Sequence, residues 1–296
     1  MTDMHGTAVF VIDGQGAGQY RWLTGYEGNH IKIDREWDLA PDTDSLVSIG
    51  GFNGRHLFIN NTAIDTGTII QLYPPNCECI LSGNRSIRAS NINSLGKLAK
   101  HKNSEFVWIE TSWYNQFLDN RVIAGNTWGG GSTQIDRWIG GECTLNIWGW
   151  ETAFYLSQHG EDLDIFLTPE ILRNILGESH PRTKSIPISR FQIIRRHVID
   201  NNSSIRIHGA VADVLIEGCG LNLSRKGIRI DQEMDYVQPS HIGQLFDFDP
   251  APGEENRPLP FLAPEGVVIR NNTFRDVEIP YSGSAINEAK IVEEQG

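Results

Sequence analysis

The stretch Phe191 to Asp231 reads FQIIRRHVIDNNSSIRIHGAVADVLIEGCGLNLSRKGIRID, and one pattern occurs in it twice. Ile205-Arg206-Ile207-His208 returns 23 residues later as Ile228-Arg229-Ile230-Asp231, and Ile199 is answered by Leu221. Each four-residue unit alternates apolar with polar side chains, as a strand with one buried face does. A unit this short cannot bury its apolar side alone. It must stack on its neighbours, so the chain reads as a solenoid. Stacking would put Ile205 on Ile228 and Ile207 on Ile230 inside, with Arg206 beside Arg229 and His208 beside Asp231 outside.

The same rhythm extends in both directions. Asn61-x-x-Ile64 is followed 23 residues on by Asn84-x-x-Ile87, and the step recurs at Asn120 to Ile123 and at Asn271 to Phe274. Arg196 and Gly218 take the Asn position before Ile199 and Leu221. Asparagine suits a tight turn between strands because it tolerates left-handed backbone and bonds along a stack of its own kind. A strand follows at Ile69 to Leu72, Ile92 to Leu95, Ile205 to His208 and Ile228 to Asp231. Longer spacings mark excursions near 96–105, 128–190 and 233–264, the last rich in proline. The clearest helical stretch is Thr168 to Gly177, with Pro169 at the first turn and Gly177 at the stop.

From Leu57 to about Ile286 this pattern resembles the right-handed parallel β-helices of the pectate-lyase-like superfamily. The implied fold is all-β, a right-handed parallel β-helix (solenoid) with long loop excursions. Upstream, Gly14-Gln15-Gly16-Ala17-Gly18-Gln19-Tyr20-Arg21 precedes a strand, and Trp37, Pro41, Asp42 and Ser45 close the segment. That arrangement is similar to a small β module found in bacterial and phage surface proteins with parallel β-helices. Residues 1–50 are therefore expected to pack on or cap a helix formed by 51–296. The glycines do not read as a dinucleotide loop, because Tyr20 to Leu23 continues as strand where a helix should open.

Composition limits the partners. With 25 Lys and Arg against 37 Asp and Glu, the formal charge is −12, which argues against a nucleic-acid backbone. No apolar run is long enough to span a bilayer, and residues 1–6 do not read as a secretory signal, so the chain is expected to be a piece of a longer extracellular or cell-surface protein. Cys77, Cys79, Cys143 and Cys219 lack zinc spacing and read as buried thiols.

Two sets of residues carry the chemistry. Six of the eight tryptophans fall between Trp108 and Trp150. Indole faces stack on sugar rings, which makes Trp128 and then Trp113 the candidate substrate-binding aromatics, against the alternative that they fill the interior. The outward set Arg206, His208, Arg229 and Asp231, with Glu233 and Asp235 nearby, would form one patch. In β-elimination from a uronic acid, Arg206, Arg229 or His208 would serve as base or neutralise the carboxylate, with calcium held by Asp231 and Asp235. In glycoside hydrolysis the pair would be Asp231 with Asp235 or Glu233. The same residues also suit a plain surface ion-pair ladder. The superfamily's pectin hydrolases use an Asp-Asp pair, a Gly-His and an Arg-x-Lys; here His208-Gly209 stands in reversed order, so no full catalytic set carries over. The leading function is binding and cleavage of an extracellular polysaccharide, as lyase or hydrolase. The alternative is a non-catalytic surface or phage-appendage β-helix.

Overall fold

The structure, a computed structural model, describes residues 6–66, 69–89, 92–100, 107–123, 145–148, 188–200, 204–231 and 264–293, with the backbone alone at 97–100, 107–108 and 145–148. Among these residues the fold is all-β. Regular elements are strands apart from one 3-10 turn at Ile286–Glu288.

The chain visits three parallel sheets in rotation. The first contains Leu57–Ile59, Ile80–Ser82, Gln116–Leu118, Ser189–Arg195, Val211–Glu217, Val268–Arg270 and Lys290–Val292. The second contains Thr62–Ile64, Arg85–Ile87, Arg121–Ile123, Val198–Asp200, Gly220–Asn222 and Thr273–Arg275. The third contains Ile70–Leu72, Ile92–Leu95, Leu145–Trp148, Ile205–His208, Lys226–Asp231 and Ile279–Ser282. Each strand pairs in parallel with its counterpart one repeat away. The register Ile205↔Ile228, Arg206↔Arg229, Ile207↔Ile230, His208↔Asp231 is the one the sequence implies. All four isoleucines are fully buried, each contributing about 2 kcal/mol by leaving water.

The second sheet departs from the sequence reading by one residue. Its inward column is Ala63, Ser86, Val122, Ile199, Leu221 and Phe274; Ile64 lies next to it, 53% exposed. The turn column is accordingly Asn61, Asn84, Asn120, His197, Cys219 and Asn272, so His197, Cys219 and Asn272 replace Arg196, Gly218 and Asn271 in the alignment. A three-residue strand turns only its middle side chain inward, so an outer Ile mimics a core position. The asparagines do bond along the stack. Asn84 Nδ2 donates to Asn120 Oδ1 at 2.9 Å, and Asn84 Oδ1 accepts from the Asn61 backbone N–H and Nδ2 at 3.0 and 2.9 Å. The residues just before them, Asn60, Gly83, Asp119, Arg196, Gly218 and Asn271, all have left-handed φ.

Thr7–Asp13, Tyr20–Glu27, His30–Ile33 and Leu46–Gly51 form a separate four-stranded antiparallel sheet. It packs on the outer face of the first parallel sheet: Phe10 meets the Trp113 ring edge-on at 5.3 Å, in a cluster with Ala8, Ile12, Tyr20 and Cys77. Within this sheet the Gly-Gln-Arg turn is locked by side-chain bonds. Gln19 Nε2 donates to the Leu39 carbonyl, Arg21 Nη2 donates to Gln19 Oε1, and the guanidinium lies 4.8 Å over Trp37. Residues 96–105, expected as a polar excursion, are in part strand: Lys97–Lys100 pairs antiparallel with Val107–Glu110. The expected helix at 168–177, most of the excursion at 128–190 and nearly all of that at 233–264 lie outside the described residues. Cys77, Cys79 and Cys219 are buried free thiols, and burial pushes the Cys219 thiol up to about 12.

Candidate functional site

On the third sheet the structure brings Arg206, His208, Arg229 and Asp231 together on adjacent strands. Asp231 Oδ2 accepts from Arg206 Nε at 2.8 Å and lies 3.4 Å from Arg229 Nη2, while Oδ1 accepts from the Ser284 backbone N–H at 3.2 Å. Gly283 (φ +115°) makes that approach possible, since a Cβ there would collide with the Ile230 carbonyl oxygen. Asp231 is 9% exposed and His208 8%. Both carboxylate oxygens are thus engaged, and the cluster ties two repeats to the chain's last turn. The expected partners Glu233 and Asp235 lie outside the described residues, as does Trp128. Among the described residues, no group of three or more His, Cys, Asp and Glu is placed to hold a metal ion.

Trp113, expected to bind substrate, is instead interior to the junction of the two sheets. It is fully buried, with Phe10 on one side and the Tyr114 ring edge at 6.3 Å. The correction has a simple cause: the face it occupies is outward for the parallel sheet but lies under the antiparallel one.

That same junction borders a cavity of about 470 Å³ that is widely open to solvent. Its upper wall is the turn and strand Gly18, Gln19, Tyr20 and Arg21, with Arg35 and Asp38; its floor is Ile80 and Gln116, flanked by Glu78 and Tyr114. The flank comes from a bend that recurs at each repeat of the first sheet. Arg55, Glu78, Tyr114, Phe191 and Asp213 all occupy it with φ between +55° and +62°, which turns each side chain out of the stack. Neighbours along the bend then meet. Arg55 Nε donates to Glu78 Oε2 at 2.9 Å, and the Tyr114 ring stacks on Phe191 at 4.6 Å and 10°. In this column Tyr114 stands between Phe191, which covers one ring face, and Glu78.

The cavity holds one coupled polar group. Tyr20 donates its phenolic O–H to Glu78 Oε1 at 2.6 Å, and Arg55 Nη2 lies 3.3 Å from the same phenol oxygen. Burial, then the Glu78 hydrogen bond, pushes the Tyr20 pKa up to about 12. For Glu78 burial acts upward, but the hydrogen bonds from Tyr20 and Arg55 outweigh it and hold the carboxyl below its ordinary value. The two shifts run apart, so at neutral pH Tyr20 is a fixed donor and Glu78 a fixed acceptor. A general acid or base needs a pKa near the working pH; both groups are shifted away from it and are bonded to each other. Arg21 reaches Asp38 at 3.1 Å on the opposite wall. The Gln116 side chain is half-buried on the floor.

None of the cavity's side chains was singled out as a ligand group from the sequence. Gly18, Gln19 and Arg21 were visible as a structural turn; Tyr20, Glu78, Tyr114 and Gln116 come from segments far apart in the chain, and only the fold brings them together. Comparison of the chain with protein-family models, curated proteins and solved structures found no match.

Proposed function

We propose that the three parallel sheets close into a right-handed parallel β-helix of the pectate-lyase-like kind, and that this protein binds a polysaccharide outside the cytoplasm through the cavity between its antiparallel sheet and that helix. The observation that carries the reading is the make-up of the cavity. The lining combines the Gln116 amide, the Glu78 carboxylate, which has lone pairs beyond those that Tyr20 and Arg55 occupy, and Arg21 and Arg35: groups able to bond sugar hydroxyls, with the Ile80 side chain and the edge of the Tyr114 ring as apolar contacts for a C–H face. The volume falls in the range of small-ligand sites, roughly 300–1,000 Å³. Binding, and not cleavage, is the function proposed. Tyr20 and Glu78 are tuned away from neutrality, and Asp231, the acid expected to act in catalysis, has both oxygens bonded.

The test is a panel of soluble neutral and acidic polysaccharides, screened by calorimetry, with product release followed as reducing ends and as unsaturated uronate absorbance. Binding without product is expected. Gln116→Ala and Glu78→Gln should each lower affinity at least tenfold, about 1.4 kcal/mol. Absence of binding across the panel, or binding indifferent to both substitutions, would defeat the proposal. Product release would restore the cleavage reading.

A further inference from the structure

We infer that the cavity selects an uncharged sugar ring over its uronate, with Glu78 as the residue that sets the choice. This rests on the saccharide reading of the cavity and names the class of sugar it takes. The charges on the lining cancel, since Arg21 and Arg35 stand against Asp38 and Glu78. Their partners beyond the lining cancel too: Asp34 pairs with Arg35 at 2.9 Å, and Arg55 with Glu78 at 2.9 Å. No surplus cation is left to draw in an anionic ligand.

A site for an acidic sugar needs a guanidinium with its fork open, because the strong contact to a carboxylate is a pair of parallel N–H bonds. Arg21 has no open fork. It is 3% exposed, and its nitrogens donate to the Glu36 and Tyr20 carbonyls, to Gln19 Oε1 and to Asp38 Oδ2. Arg35 donates from Nη1 to Asp34 Oδ2, and a uronate that reached it would share the cavity with Glu78 and Asp38. Glu78 acts in the other direction. Each oxygen of an ionised carboxylate accepts two hydrogen bonds; Tyr20 takes one at Oε1 and Arg55 one at Oε2. The lone pair left on each oxygen suits a sugar hydroxyl, which donates, and opposes a sugar carboxylate, which at neutral pH only accepts. Gln116 carries both donors and an acceptor, so it does not discriminate. Specificity is a difference of two affinities. Here it comes from the cost of bringing like charges together, to which the formal charge of −12 on the chain adds at long range.

The experiment titrates matched trisaccharides calorimetrically into the whole protein: 1,4-linked glucose, mannose and galactose, each beside its counterpart oxidised to the carboxylate at C6. Whichever neutral sugar binds should bind about tenfold or more tightly than its uronate at low ionic strength. Added salt should narrow that gap by strengthening uronate binding and leaving the neutral sugar unchanged, because charges more than roughly 10 Å apart are screened at 0.1 M. Glu78→Gln should weaken the neutral sugar and bring the two affinities to within about twofold of each other. The salt series needs no variant, so it decides alone should Glu78→Gln fail to match the parent's thermal melt. A uronate bound as tightly as its neutral counterpart overturns the selection and leaves the saccharide reading standing, as does a preference that neither salt nor Glu78→Gln moves. If no member of any pair binds, the saccharide reading of the cavity falls and the selection with it.

Discussion

His197 stands in the column that asparagine fills at Asn61, Asn84 and Asn120, but it is wholly buried and neither ring nitrogen meets a partner among the described residues. A protonated imidazole there would lose its hydration and gain nothing, so burial alone pulls its pKa down to about 4. The unfolded chain keeps an ordinary value near 6.5. Above about pH 6.5 both states are neutral and the group does not affect stability. As pH falls from there toward 4, the unfolded chain takes up a proton that the folded one refuses, at a cost of about 1.4 kcal/mol per pH unit. Between pH 6.5 and 4.5 the loss is about 2 kcal/mol. The arginine-paired carboxylates Asp65, Asp119, Glu78 and Glu217 are held below their ordinary values, so they give up stability only at lower pH. The assay is urea denaturation at pH 7 and pH 4.5 for the parent and for His197→Asn, which restores the column's usual residue. The parent should lose about 2 kcal/mol more than the variant on acidification. Equal losses would refute the reasoning, because the imidazole would then be either solvated or partnered in the folded state.

Three further outcomes follow from the packing. Asn84→Ala removes four side-chain hydrogen bonds inside the stack and should cost about 3 kcal/mol in urea denaturation, whereas Asn61→Ala at the exposed end should cost under about 1 kcal/mol. Trp113→Ala should cost about 3–5 kcal/mol and loosen the antiparallel sheet, read as earlier proteolysis after Gly51; Trp113→Phe should recover most of it, since Phe10 keeps a ring to pack on. Asp231→Ala should cost about 2 kcal/mol by removing a carboxylate that accepts from Arg206 and the Ser284 N–H, and should leave glycan affinity at the cavity unchanged when measured by the same calorimetry.

The parallel pairing was legible wherever a strand carried two inward residues. Ile205 with Ile207 and Ile228 with Ile230 set a period-2 pattern that admits one register, and the sheet adopts it. Three-residue strands such as Thr62–Ile64 show one inward position, and there an outward Ile misled the alignment by one residue. Trp113 was misjudged for a related reason. Alternation along a strand tells which side faces the stack, but not whether the other side is roofed by a sheet whose strands lie about a hundred residues earlier in the chain.

The bend in the first sheet explains why the cavity has no sequence signature. Left-handed backbone costs an L-residue with a bulky side chain about 1–2 kcal/mol, which is why such positions go to Gly, Asn and Asp. The neighbouring turn follows that rule at Asn60, Gly83, Asp119, Gly218 and Asn271, with Arg196 its one exception among the described repeats. The bend follows it only at Asp213 and holds Arg55, Glu78, Tyr114 and Phe191 in the same conformation. Nothing in the stack's interior repays that cost, because these side chains point away from it. What they do is stand in line, Arg55 on Glu78 and Tyr114 on Phe191, as the wall of the cavity. What offsets the cost is what these side chains reach outward: Glu78 and Arg55 meet the Tyr20 hydroxyl and Tyr114 donates to the Gly18 carbonyl, so the bend fastens the antiparallel sheet to the stack.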